Sequence, residues 1–233
     1  MHNKTFFITG TDTEVGKTFI SRALLQAFNA KGLSTAAYKP VAAGCEQTSQ
    51  GLRNEDALLL QAASSVTLSY QEVNPIALAE PVAPHLAAQQ LKQQISLRDI
   101  AQGFVHLQNK QADVLLVEGA GGWRLPLGQA ESGKQQFLSD FAIQHKLPVI
   151  LVVGMRLGCL NHALLTAEVI QNDGLKIAGW VANQLNGDMP YLQENILSLT
   201  GLLKLPFIGS VPKLASPEEA LEFLDVSALV SRN

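Results

Sequence analysis

An α/β fold with a doubly wound, mostly parallel sheet and helices on both faces follows from three features of this chain. Short, nearly all-apolar runs alternate from end to end with longer helix-patterned segments. Strands that lack polar alternation are covered on both faces, as in parallel sheets between helix layers. Apolar residues make up 47% and charged residues 16% of the 233 residues, enough to bury a sizeable core in a compact domain. The third feature is a glycine-bearing turn, Gly10-Thr11-Asp12-Thr13-Glu14-Val15-Gly16-Lys17-Thr18, set between the first apolar run and the first helical pattern.

Taken in order, Thr5–Thr9 reads as the first strand and Lys17–Lys31 as the first helix. Strands are expected at Thr35–Lys39, Val114–Glu118, Val149–Val153, Ile177–Val181 and Phe207–Gly209. Helical patterns lie near Asp56–Ala63, Leu97–Asn109, Gln135–His145, Asn161–Asn172, Tyr191–Leu199 and Pro217–Leu224. From Val73 to Pro84 three X-Pro pairs punctuate the chain, so loop or short edge elements are expected there. Gly119 to Gly133 carries five glycines and is a second irregular stretch, following a strand end where α/β sheets form their ligand crevice. No repeat or low-complexity linker divides the chain, and residues 1–233 read as one domain.

The net charge of −3 and the absence of a Lys/Arg cluster argue against nucleic acid as a partner. No apolar run approaches a membrane span, and the amino terminus enters the first strand at once, leaving no room for a targeting peptide. Cys45 and Cys159 lie far apart, without metal or redox spacing, and a reducing cytoplasm is the simplest compartment. None of the five histidines has a metal spacing.

A strand, a glycine-bearing turn and Gly16-Lys17-Thr18 at a helix start describe a phosphate-binding loop. Backbone N–H groups there would face a phosphate with the positive helix end behind them. Lys17 would reach the outer phosphates and the Thr18 hydroxyl would hold magnesium. The usual leading glycine is displaced, with Thr11 in its slot and Gly10 one position earlier.

Glu118, before Gly119-Ala120-Gly121-Gly122, is either a magnesium ligand at a strand end or an exposed terminal carboxylate. Lys39, at the carboxyl end of the second strand, is either a cation beside the phosphates or a surface lysine. Asn54 suits a helix cap, with Glu55 and Asp56 in the first turn, while a carboxylate there would reach a metal if the preceding loop folds over. Asn161, after Gly158-Cys159-Leu160, either caps a helix or stands at an anion seat. Asn183 can read a purine edge, and Pro212-Lys213-Leu214 form either a base-contacting wall or an ordinary loop.

These motifs, together with Tyr38-Lys39-Pro40-Val41-Ala42, Gly51-Leu52-Arg53-Asn54, Val73-Asn74-Pro75, Glu80-Pro81, Leu157-Gly158-Cys159-Leu160-Asn161-His162 and Gly179-Trp180-Val181-Ala182-Asn183, resemble the dethiobiotin synthetase family along nearly the whole chain. The resemblance implies an ATP- and Mg2+-dependent cyclo-ligase that carboxylates 7,8-diaminononanoate with carbon dioxide. It implies Thr18, Asp56 and Glu118 as magnesium ligands, and Lys17 and Lys39 as the catalytic cations. It assigns the phosphates to Glu14, Val15, Gly16, Lys17, Thr18 and Phe19, with Gly119, Ala120 and Gly121 beside the nucleotide. Adenine would meet Asn183, Gln184, Pro212, Lys213 and Leu214. A homodimer is implied, with Cys159, Leu160 and Asn161 binding the substrate carboxylate from the partner subunit and Lys39 and Ala43 near the substrate. Two departures stand out: Ala43 replaces a frequent hydroxyl residue, and Trp123 to Lys146 is longer than usual, with Glu131-Ser132-Gly133-Lys134 as extra loop.

The main rival is a regulatory dimeric ATPase of the partition or division-site type. Those proteins carry a second lysine five residues before the Gly-Lys-Thr lysine, and that slot here is Asp12. An amidotransferase-type cobyrinate synthetase would need a glutaminase domain. A nucleotide-binding module without catalysis would leave Lys39, Asp56 and Glu118 unexplained.

Overall fold

The computed structural model describes residues 4–130, 132–184 and 189–230. In chain order the elements are β1 (Lys4–Gly10), α1 (Lys17–Ala30), β2 (Thr35–Tyr38), β3 (Val41–Ala42), β4 (Glu46–Thr48), β5 (Gly51–Arg53), α2 (Glu55–Ala63), α3 (Tyr70–Val73), β6 (Ile76–Ala77), α4 (Pro84–Gln90) and α5 (Leu97–Gln108). They continue with β7 (Val114–Gly122), β8 (Pro126–Gln129), β9 (Gln135–Phe137), α6 (Leu138–Gln144), β10 (Val149–Gly154), α7 (Cys159–Asn172), β11 (Ile177–Asn183), α8 (Leu192–Leu203), β12 (Phe207–Val211), a 3-10 turn over Pro217–Phe223 and α9 (Ser227–Val230).

Six strands form one sheet in the order β12-β11-β10-β1-β7-β2, and every neighbouring pair is parallel. These are the six strands read from the apolar runs. Successive residues of a strand point to opposite faces, and Phe6, Phe7 and Ile8 of β1 are all buried. Phe6 stacks on Phe28 of α1, whereas Phe7 meets the edge of the Trp123 ring. Both faces of the central strand are therefore covered, which is why its sequence shows no polar alternation.

From β1 the chain crosses to the edge strand β2 and comes back to β7 on one side, then passes to β10, β11 and β12 on the other. The direction of winding reverses between β1 and β10, where an open parallel sheet presents its ligand crevice at the strands' carboxyl ends. The phosphate loop leaves β1 at that point.

Several helix bounds depart from expectation. Gln135–Phe137 is strand rather than helix, because it pairs with β8 in an antiparallel hairpin, and α6 starts only at Leu138. Ser132 to Lys134 belong to the turn of that hairpin, while Glu131 lies outside the described residues. In the proline-punctuated region β6 pairs with β3. Pro84 begins α4, where its missing N–H and fixed φ are tolerated.

Candidate active site

The loop after β1 departs from ordinary turn geometry at Glu14 (φ 58°) and Gly16 (φ 81°), and the left-handed backbone at Gly16 favours glycine. Val15 is buried and wedged between two other glycines. A Cβ on Gly10 would stand 2.4 Å from Val15 Cγ2, and one on Gly154 would stand 2.8 Å from Val15 Cγ1. This packing accounts for the displaced glycine at position 10. From the other side the Asn183 side-chain amide donates to the Val15 carbonyl at 3.0 Å. Gly16 then caps α1 without a side-chain hydrogen bond, so the first turn offers its backbone N–H groups to an anion.

Lys17 Nζ donates to the Asp12 carbonyl at 3.0 Å. Burial outweighs the pull of Glu118 and brings the Lys17 ammonium down to about 8, with Lys39 adding to the effect.

Thr18, the second residue of α1, donates to Glu118 Oε1 at 2.8 Å, and Lys39 Nζ donates to the same oxygen at 2.6 Å. Lys39 also pairs with Asp56 Oδ2 at 3.2 Å. Burial alone would lower the Lys39 ammonium, but Glu118 and Asp56 overcome it and raise it. Lys39 is 4% and Glu118 1% exposed, which removes the surface-lysine and exposed-carboxylate alternatives. Strand β7 runs on past Glu118 to Gly122, so this carboxylate stands within the strand rather than at its end.

Asp56 occupies the first turn of α2, whose cap is Asn54 accepting from the Ala57 N–H at 3.2 Å. The Asn54 N–H donates to Tyr70 Oη at 2.7 Å, and that hydroxyl donates to Asn74 Oδ1 at 2.9 Å. The Asn74 amide donates to the Lys39 carbonyl at 2.7 Å. One side-chain relay thus joins the backbones that carry Asp56 and Lys39. Nothing in the spacing of Tyr70 and Asn74 announces this, although Val73-Asn74-Pro75 is one of the family-like segments.

A cleft of about 890 Å³ opens over these groups. Of the expected residues it is lined by Glu14, Gly16, Lys17, Thr18, Phe19, Lys39, Ala43, Asp56, Ala120 and Gly121. Arg22 also lines it and was not singled out from the sequence. Gly119 lies against Phe7, where a Cβ would come within 3.1 Å of the ring.

Among the described residues no group of three His, Cys, Asp or Glu side chains gathers as a metal site. The Thr18 hydroxyl with two carboxylates is nevertheless the hard-oxygen set that magnesium takes when phosphate oxygens and water complete its shell. Glu118 Oε2 is buried without a hydrogen-bond partner, an orphan acceptor that a cation would satisfy. The residues fit the ion.

At the other end of the sheet, Asn183 closes β11, and the Gln184 N–H donates to the Val211 carbonyl at 2.9 Å. Pro212, Lys213 and Leu214 follow β12, with Lys213 exposed. Helix α7 is capped by Gly158 (φ 94°), not by Asn161, which stands exposed two residues after Cys159, the helix's first. A left-handed glycine closes that turn, so the cap role expected for Asn161 is corrected. Cys159 is buried, and neither it nor Leu160 nor Asn161 lines the cleft. Arg156, just before, pairs with Asp12 of the phosphate loop.

An AAA-domain family model matches residues 4–220. The chain is 53% identical over 232 residues to the ATP-dependent dethiobiotin synthetase of Cellvibrio japonicus, covering 99% of both. It is 49% identical to the Aeromonas salmonicida protein of that name, covering 97% of this chain and 99% of that one. The Pseudomonas aeruginosa UCBPP-PA14 protein is 51% identical, with 96% and 97% covered. Among solved structures, the MinD cell division protein of Aquifex aeolicus superposes with a TM-score of 0.54 at 14% identity, covering 94% of this chain and 85% of that one. A ParA family ATPase from Chlorobium tepidum gives 0.54 at 13% identity, with 97% and 89% covered. Those two likenesses speak to the fold alone. With half its residues identical over nearly its whole length, this chain belongs to the dethiobiotin synthetase family.

Proposed function

We propose that the chain uses ATP and magnesium to carboxylate 7,8-diaminononanoate with carbon dioxide and close the ureido ring of dethiobiotin. The observation that carries this reading is the convergence of Thr18, Lys39, Asp56 and Glu118 on one point beside the phosphate loop.

One amine of the substrate adds to carbon dioxide, losing a proton to give a carbamate. A carbamate oxygen attacks the γ-phosphorus of ATP, and ADP departs, leaving a carbamic-phosphoric anhydride. The second amine attacks the carbamate carbon and gives up a proton, the ring closes and phosphate leaves. No protein nucleophile takes part.

The backbone from Glu14 to Phe19 would wrap the phosphates, with Lys17 on the outer ones. Lys39 would turn its ammonium to the transferring phosphoryl group and the carbamate, offsetting charge that grows during transfer. Thr18, Asp56 and Glu118 would hold magnesium, which when bound neutralises phosphate charge. Ala43, which lines the cleft, would stand on the substrate side, while Asn183, Gln184 and Pro212 to Leu214 would form the adenine end. Ala120 and Gly121 line the cleft and would let the nucleotide approach closely, while Gly119, expected beside it, makes room for the Phe7 ring.

The protein would work as a homodimer, Cys159, Leu160 and Asn161 serving the partner's cleft. The absence of a side-chain cap at the start of α7 leaves N–H groups there for a carboxylate. The likeness to division-site and partition ATPases does not extend to Asp12, which pairs with Arg156 where those proteins would carry a lysine.

The test is purified protein with diaminononanoate, bicarbonate, magnesium and ATP, scored for dethiobiotin and ADP in equal amounts. Steady ATP hydrolysis without the diamine, and no cyclic product with it, would overturn the reading.

A further inference from the structure

We infer that Asn183 is a positioning residue for the phosphate loop, acting on nucleotide binding through Val15 whether or not it also meets the base. The inference rests on the reading that this loop takes the triphosphate of ATP.

Asn183 ends β11 and is 2% exposed. Its place is fixed twice by the backbone: it lies in register with Gly154 of β10, and its carbonyl accepts from the Met155 N–H at 2.8 Å. Its side chain then crosses to the loop, where Nδ2 donates to the Val15 carbonyl at 3.0 Å. Val15 stands between Glu14 and Gly16, both left-handed, in the part of the loop with the least conventional backbone. The wedge of its side chain against Gly10 and Gly154 fixes where Val15 sits. It does not fix how the next peptide plane is turned.

The carbonyl of Val15 and the N–H of Gly16 belong to one planar trans peptide and point in opposite directions. Holding the oxygen towards Asn183 therefore aims the Gly16 N–H away from it, and Gly16 lines the cleft. Glycine at that position gives little resistance to a peptide flip, so an external hydrogen bond has to choose the orientation. A single buried carboxamide supplies it. The prediction that separates this from base recognition concerns a ligand that has phosphates and no base.

The experiment is calorimetric titration of the full-length protein with magnesium ATP and with magnesium tripolyphosphate. Asn183→Asp keeps size but sets a carboxylate oxygen against the Val15 carbonyl. Asn183→Ala removes the donor to the Val15 carbonyl without adding charge. Wild type should bind both ligands, and each variant should bind both roughly tenfold more weakly, about the worth of one hydrogen bond. The loss for tripolyphosphate should appear whether or not the loss for ATP is larger, and irrespective of any change in melting temperature. If Asn183→Asp is insoluble, Asn183→Ala carries the same expectation. A loss confined to ATP would make Asn183 a base reader only and overturn the inference, as would unchanged binding of both ligands. Wild type that binds ATP but not tripolyphosphate would overturn it while leaving the ATP reading intact. Wild type that binds neither would overturn both.

Discussion

Lys39 and Glu118 form a hydrogen-bonded ion pair of 2.6 Å in a place where both side chains are almost fully withdrawn from water. Such a pair gives little net stability relative to apolar packing, but removing one partner strands the other charge at a cost of about 3–5 kcal/mol.

Lys39→Met and Glu118→Gln should therefore each lower stability by several kcal/mol, while the double variant should recover much of the loss. Asp56 shares Lys39, so recovery should be larger when Asp56→Asn is added. Ring-forming activity should be lost in all of them. Urea unfolding read by circular dichroism checks the first statement, and product formation the second. An additive double variant would mean the pair is not coupled.

The lowered Lys17 ammonium makes two predictions. Its value of about 8 lies below the ordinary 10.5 because of burial. The unfolded chain thus binds more protons between those limits, and stability rises with pH across that window. Lys17→Met removes the penalty, so it should be more stable than wild type below pH 8, on the order of 1–3 kcal/mol, with the difference fading by about pH 10.5. ATP affinity should follow the opposite course, because the phosphates need the charged form. It should be flat below about pH 7 and fall roughly tenfold by pH 9. Titrations in matched buffers decide this, and turnover by Lys17→Met should be abolished although the variant is folded.

Tyr70 and Asn74 act on the site at one remove. Tyr70→Phe leaves the Asn54 N–H and Asn74 Oδ1 without their partner, and Asn74 is wholly buried. Loss of stability should be about 1–3 kcal/mol. The magnesium requirement should rise severalfold at saturating diamine, because the backbones under Asp56 and Lys39 lose their common tie. Magnesium titration of the steady-state rate checks this. A variant that is less stable yet has an unchanged magnesium requirement would make the relay purely structural.

Much of this was legible because buried parallel strands write themselves as continuous apolar runs. Val114 to Val117 and Val149 to Val153 could hardly be anything else, and Asn54-Glu55-Asp56 spelled a helix start that α2 obeys. Short elements were less visible. The two-residue strands β3 and β6 have no periodicity to display, and α4 hides behind Pro84, which opens a helix as readily as it breaks one. Gln135 to Phe137 took a helical pattern into a hairpin because pairing with β8 overrode local preference. At the site, residue types disclosed Lys17, Thr18 and Glu118, but spacing could not say that Lys39 and Glu118 touch. Nor could it say that Gly10 is a glycine on account of Val15. Of the two alternatives open for Asn161 the cap falls away, because the left-handed Gly158 does by backbone what Asn161 would have done by side chain.

The hydrogen bonds that assemble the site join residues 79, 100 and 168 positions apart along the chain. Contacts of that span close late in folding, since large loops must be ordered before any of them forms. No contiguous fragment ending before β11 contains them all. Full nucleotide affinity is thus expected only once the chain has been made through β11, so a nascent or truncated copy that stops short of Asn183 should hold ATP more weakly.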